Sequence, residues 1–256
     1  MPTLFRDLPA FTAEAQERTA EQVAELAVFA NGGRPILTQI RRNGLERGKL
    51  STIGREGRTD EGRYELRFVR GENLAKDKVR LDQKSNSADY SLIYGEGHVW
   101  GVINGALFTP RQEATAEFLS LYWHSIDALL RYKENESKLN LLGKDKQQGI
   151  ELYALELTDK EGRRTRYYIS ARTFRVLSLE YEETPPGAAA AVKYTRKFYD
   201  YRVAQGTLVP YRTVLLQDGK QTKETRVLTV TFGLKMEDSL FQNPEAPAAA
   251  TNPSNP

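Results

Sequence analysis

VKYTRKFYDYRVAQGTLVPYRTVLLQDGKQTKETRVLTVTFGLKMEDSLF, residues 192–241, holds three long β-patterned runs with almost nothing between them. The runs 193–202, 208–217 and 222–234 are joined by Ala204-Gln205-Gly206 and Asp218-Gly219-Lys220. Short glycine-containing joints of this kind return a chain antiparallel to itself. Strands of ten or more residues are long beside the usual length of about five or six. Long antiparallel strands in series predict a curling meander and not a doubly wound α/β core. A curled sheet has a concave face that side chains, a helix or a ligand must fill. That need points to a binder before a catalyst.

The same pattern extends upstream. Strands are expected at 138–144, 150–157, 164–170 and 174–182, with Gln147-Gln148-Gly149 and Lys160-Glu161-Gly162 as turn material. From residue 36 to residue 104 apolar and polar residues alternate. Tyr64, Leu66 and Phe68 share one face, Arg63, Glu65 and Arg67 the other, and Val79 and Leu81 sit between Lys78, Arg80 and Asp82. Period two with one polar face marks half-buried strands. Gly95-Glu96-Gly97 is a hairpin turn; no Lys-Ser/Thr pair follows to make it a phosphate loop.

Two helices interrupt the strands. Val23, Leu26, Ala27 and Ala30 repeat at helical spacing, Phe11 and Ala15 extend the pattern backwards, and Asn31-Gly32-Gly33 stops it. Its charged side mixes Glu14, Glu17, Arg18, Glu21 and Glu25, which argues against a membrane-surface helix. Thr109-Pro110-Arg111-Gln112 fits a capping box with Pro at the first helical position. Phe118, Leu119, Leu121, Tyr122, Trp123, Ile126, Leu129, Leu130 and Tyr132 follow, a wider apolar surface than one sheet contact requires. Such a helix is wedged between two layers, or it shares its surplus apolar area with a greasy ligand. Thr184-Pro185-Pro186-Gly187 and the alanines at 188–191 read as a loop. One domain is expected over residues 1–244, followed by a flexible Pro/Ala/Asn-rich tail over 245–256.

Composition narrows the function. Charged residues make up 28% of the chain, so many strands have one face in water. With 37 basic against 34 acidic residues, no polybasic patch stands out, and nucleic acid is not an expected partner. The absence of cysteine excludes disulfides, thiolate metal sites and a cysteine nucleophile. No run of about 18 apolar residues is present to span a bilayer. Met1 leads into Pro2-Thr3-Leu4-Phe5-Arg6-Asp7, which lacks the features of a signal peptide.

No catalytic or metal-binding constellation emerges. His98 and His124 fall on different elements without metal spacing, and no G-x-S-x-G elbow is present. Glu182-Glu183 and Glu237-Asp238 read as solvated carboxylates, and Arg41-Arg42 and Arg163-Arg164 as wet strand faces or edge protection. No catalytic residue, metal or cofactor is therefore expected, and the chain is read as a non-enzyme. An esterase-like or glycan-acting enzyme ranks last. It would place His98 or His124 against a Ser or carboxylate in a cleft.

The C-terminal half carries a further signal. It lies in Gly149-Ile150-Glu151-Leu152-Tyr153-Ala154-Leu155, Tyr167-Tyr168-Ile169-Ser170-Ala171-Arg172-Thr173-Phe174, Phe198-Tyr199-Asp200-Tyr201-Arg202, Leu208-Val209-Pro210-Tyr211 and Asp238-Ser239-Leu240-Phe241-Gln242-Asn243-Pro244. This succession resembles the outer-membrane lipoprotein-sorting proteins, the LolA/LolB-like periplasmic carriers, over residues 138–244. Ser170 stands where that family commonly has Asp. The resemblance implies a mainly β (α+β) fold: a single curved antiparallel sheet forming an open half-barrel of about eleven strands, with helices packed on the concave face. It implies a periplasmic carrier of lipid or lipoprotein acyl chains, with its targeting segment absent from this chain and a membrane-associated donor or acceptor protein as partner. On that reading Trp100, Phe108, Phe118, Tyr122, Trp123, Ile126 and Leu130 line a hydrophobic cavity, with the helix over residues 118–132 as its lid. The family's carriers hold a closed lid with an Arg; Arg111 and Arg131 flank this helix, and no motif assigns either to that role. The alternative is a non-enzymatic structural or interaction module whose concave face is filled.

Overall fold

A computed structural model of the chain describes residues 18–54, 56–85 and 89–243. Thirteen strands form one antiparallel sheet. β1 (Asn43–Ile53), β2 (Thr59–Val69), β3 (Lys78–Ser85), β4 (Asp89–Gly95), β5 (His98–Ile103) and β6 (Ala106–Phe108) step outward to one edge. β7 (Lys138–Gln147) forms the other edge. β8 (Ile150–Thr158), β9 (Arg164–Ser170), β10 (Val176–Glu183), β11 (Val192–Ala204), β12 (Thr207–Gln217) and β13 (Lys220–Phe232) then lead back to pair with β1. Among the described residues β6 and β7 do not pair, so the sheet stays open. The strand count corrects the expected eleven. The surplus lies before residue 109, where period two reveals extended chain but not how often it reverses.

Five reversals share one geometry. Glu96-Gly97, Asn104-Gly105, Gln148-Gly149, Gln205-Gly206 and Asp218-Gly219 each put two successive residues at positive φ. That is the primed turn whose twist matches its flanking strands, and glycine at the second position adopts it without a Cβ clash.

α1 (Ala20–Ala30) starts at a capping box between Thr19 and Gln22 and buries Val23, Ala24, Ala27 and Val28. Its expected backward extension through Phe11 and Ala15 lies outside the described residues, as does the tail over 245–256. α2 (Gly33–Gln39) corrects the reading of residues 36–39 as extended. Pro35 falls in its first turn, where a missing N–H costs nothing. The expected helix over 118–132 is two helices, α3 (Gln112–Trp123) and α4 (Ile126–Leu130). Arg111 occupies the cap of α3 with no side-chain bond, so the capping box at Thr109 does not form. The break falls at His124-Ser125 because Ser125 caps a new helix, its hydroxyl accepting from the Ala128 amide at 3.2 Å.

α3 and α4 occupy the connection from edge strand β6 to edge strand β7. Their side chains are buried in two clusters with the sheet's. One gathers α1 and α4 with β8–β11 around Leu129, Leu155, Tyr167, Ile169 and Leu179, all fully buried. The other gathers α3 with β2–β4, β12 and β13 around Phe68, Leu92, Phe118 and Phe232, and many of its members, including Leu66, Leu81, Tyr122 and Val230, are only partly buried. The centre of the first cluster is the more deeply buried. No described helix is long and apolar enough to cross a membrane.

Candidate functional site

The second cluster borders a half-open hollow of about 270 Å³ between the sheet and α3–α4. From the helices come Phe118, Leu121, Tyr122, Ser125 and Ile126, a row at i, i+3, i+4, i+7 and i+8. From β2 come Tyr64, Leu66 and Phe68, and from β3 Val79, Leu81 and Gln83, each set two residues apart. On β13 the row runs Lys223, Thr225, Val227, then Val230 and Phe232. The shift of one comes from a bulge: Arg47 pairs with Thr229 and Gly48 with Val227, leaving Leu228 unpaired and 55% exposed. The floor is deepened by β1, whose inward row is Gly44, Glu46, Gly48 and Leu50. A Cβ on Gly48 would meet the Tyr64 ring at 2.5 Å, and one on Gly44 the Phe68 ring at 2.7 Å.

Charged groups reach this apolar space. Glu46 accepts a hydrogen bond from Tyr64 Oη at 2.7 Å, and burial pushes its carboxyl above the ordinary range. Arg196 of β11 donates to the carbonyls of Leu121 at 2.8 Å and His124 at 2.6 Å, tying the C-terminal end of α3 to the sheet. Burial lowers its guanidinium pKa. One flank carries a row of ion pairs: Arg41–Asp127 (2.9 Å), Arg70–Asp127, Arg70–Asp77 (3.1 Å) and Arg131–Asp77 (2.6 Å). Asp77 is fully buried and also accepts from the Tyr122 hydroxyl and the Gly71 amide. Burial alone would raise the Asp127 carboxyl, but Arg41 and Arg70 outweigh it and hold it well below its usual range. Arg41 is thus no wet strand-face residue: it sits in the turn before β1, mostly buried against Asp127.

The structure divides the seven expected lining residues. Phe118, Tyr122 and Ile126 face the hollow. Trp123 points to the other flank, where the Arg163 guanidinium covers its ring at 4.6 Å and Tyr94 meets it edge-on. Leu130 is fully buried and faces a second space beside α2. Trp100 lies over Gly95 on the outer hairpin, and Phe108 covers Gly101 and meets Tyr90 edge-on. The inward strand residues and Arg41, Glu46, Arg70, Asp127 and Arg196 were not on that list. Strand parity carried a signal for Arg196: it shares a row with Tyr194 and Phe198, so a cation was due on the apolar face.

The two histidines lie apart. His98 is exposed and bonds only the Glu96 carbonyl among the described residues. His124 stacks on Tyr181 at 3.9 Å, with Nδ1 2.6 Å from Thr165 Oγ1 and Nε2 3.0 Å from Glu183 Oε1. A hydroxyl, an imidazole and a carboxylate in sequence have the order of a nucleophilic triad. Thr165 and His124 are nevertheless 2% and 1% exposed, and the arrangement pins the end of α3 to β9 and β10.

No family model and no curated protein matches the sequence. Solved structures do. A domain from Vibrio parahaemolyticus described as outer membrane lipoprotein-sorting aligns at TM-score 0.61 and 13% identity, over 87% of this chain and 95% of that one. A DUF1329 family protein from Desulfovibrio piger aligns at TM-score 0.61 and 14% identity, over 88% and 98%. A LolA superfamily protein from Nitrosomonas europaea aligns at TM-score 0.61 and 12% identity, over 89% and 99%. The chain has a LolA-like fold.

Proposed function

We propose that the chain is a non-enzymatic periplasmic carrier that holds acyl chains of a lipid or lipoprotein in the hollow beneath α3 and α4. In this reading the described residues form one domain, the sheet is a half-barrel, and the helices sit on its concave face. The observation that carries it is the hollow itself, apolar space that Leu66, Leu81, Val227 and Val230 border but leave unfilled. Its size approaches the lower end of small-molecule pockets, about 300 Å³. Burying about ten methylenes there contributes on the order of 8 kcal/mol before ordering costs. Phe118, Tyr122 and Ile126 contact the chain. Arg196 is the latch, since letting a ligand pass under α3 requires giving up its bonds to Leu121 and His124. A membrane-associated protein that loads or unloads the carrier completes the cycle.

Two measurements test this. Solvent extraction of the purified protein followed by mass spectrometry should recover lipid. A fluorescent fatty acid should bind and be displaced by unlabelled acyl chains. Protein that carries no lipid and ignores the fluorescent acid is not an acyl-chain carrier.

A further inference from the structure

A second space of about 460 Å³ lies beside the hollow, bounded by α2, the turn into β1, the end of β2 and α4. Arg41, Arg70 and Asp127 border both, so the ion-pair row is their shared wall. The two spaces differ in chemistry. The hollow is walled mostly by aliphatic and aromatic side chains, whereas the second space is bordered by Arg34, Arg41, Arg42, Arg70 and Arg131 against Glu72, Asp127 and Glu134.

The cations of the wall outnumber the carboxylates they pair with. In the wall, three guanidinium groups share two carboxylates, Asp77 and Asp127. A buried charge without its counter-charge is costly, so one cation in the wall is under-compensated. Arg41 shows the deficit at one atom: its Nε is buried and has no hydrogen-bond partner. Arg42 is exposed at the rim, and its guanidinium makes no ion pair among the described residues. Arg34 is already committed to Glu25 and Glu134. The donors without a partner, Arg41 Nε and the Arg42 guanidinium, thus belong to residues that border the second space.

We infer that the ligand is an anionic amphiphile: its acyl chain enters the hollow, and its carboxylate or phosphate head sits in the second space against Arg41, Arg42 and the Arg70–Arg131 pair. This rests on the carrier reading and deepens it. A head with one or more negative charges supplies the missing counter-charge, and a planar guanidinium fork suits carboxylate and phosphate oxygens alike. A neutral head leaves the row as it stands, with its excess cation.

The test uses the whole chain and a neutral fluorescent monoacylglycerol. Oleate, lysophosphatidate carrying an oleoyl chain, monoolein and inorganic phosphate compete for it. The expected result is that one or both anionic lipids displace the fluorophore at concentrations about tenfold below monoolein, while phosphate alone does not. Which of the two is stronger separates a carboxylate head from a phosphate one. R42Q, at an exposed position without an ion pair, should fold normally and narrow that preference several-fold; R41Q should narrow it further. Equal displacement by monoolein and the anions, in wild type and variants, overturns the inference and leaves the carrier reading intact. Displacement by phosphate as effective as by lysophosphatidate overturns it in favour of a free-anion site. Failure of every lipid, including the fluorescent one, to bind overturns both.

Discussion

Glu46 lies on the inward row of β1, between two glycines and against Tyr64. Burial raises its carboxyl pKa, and the Tyr64 hydrogen bond and the Arg41 charge only partly oppose that. A raised carboxyl favours the protonated form in the folded state. Its stabilising contribution is therefore complete below the unfolded value of about 4.3 and lost as pH rises through the folded value. Glu46→Gln removes that loss. In denaturant melts the variant should gain on the wild type over an interval of rising pH that starts at about pH 4. Parallel stability curves across that interval would mean that the Glu46 carboxyl titrates normally. Nothing in the sequence singles Glu46 out, because Glu is common on these strands. Its burial follows from its place on the inward row, where Tyr64 of β2 and the other groups around the hollow surround it, which is a property of the assembled sheet.

At the scale of elements, α3 is held at its C-terminal end and by its row of apolar contacts. Arg196 supplies the bonds at its C-terminal end, and His124, fixed by Thr165 and Glu183, stops it there. Hydrogen bonds to a charged donor are worth about 1.5–3 kcal/mol each. Arg196→Met keeps an unbranched apolar stem and removes both. The amides of α3 should then exchange with solvent at least about tenfold faster, while β8 and β9, which carry the most deeply buried side chains, keep their protection. Uniform loss of protection would make Arg196 a general stabiliser and remove the latch from the proposed cycle. The sequence showed the helix but not its break. Apolar residues continue straight through from Phe118 to Tyr132, and a Ser inside such a run signals a cap only when the neighbouring backbone turns away. The hairpins were more legible: an X-Gly pair at Gln205-Gly206 and Asp218-Gly219 leaves the chain one low-strain way to reverse.

For the molecule as a whole, one long-range pairing decides what the hollow can be. Gly44 of β1 pairs with Phe232 of β13, and this joint sets the β2–β3 rows and the β12–β13 rows side by side beneath α3. Period two made the inward faces of β2 and β3 readable, so Tyr64, Leu66, Phe68, Val79 and Leu81 were grouped correctly. Their position opposite Phe118 was not readable, since no local pattern encodes which strands meet across the chain. The same long-range joint makes the emptiness of the hollow testable by stability alone. Leu81 borders the hollow and is only partly buried. Overfilling a tightly packed core costs about 1–3 kcal/mol, whereas filling an existing void commonly adds about 0.5–2 kcal/mol. Leu81→Trp places a large ring where the hollow is, with Gln83 on the same row as a partner for the indole N–H. If the space is unoccupied, the variant should melt at or above the wild-type temperature and bind the fluorescent fatty acid at least about tenfold more weakly. A variant that melts lower and binds as before would mean that the interior is already full and that the acyl chain, if carried at all, lies elsewhere on the sheet.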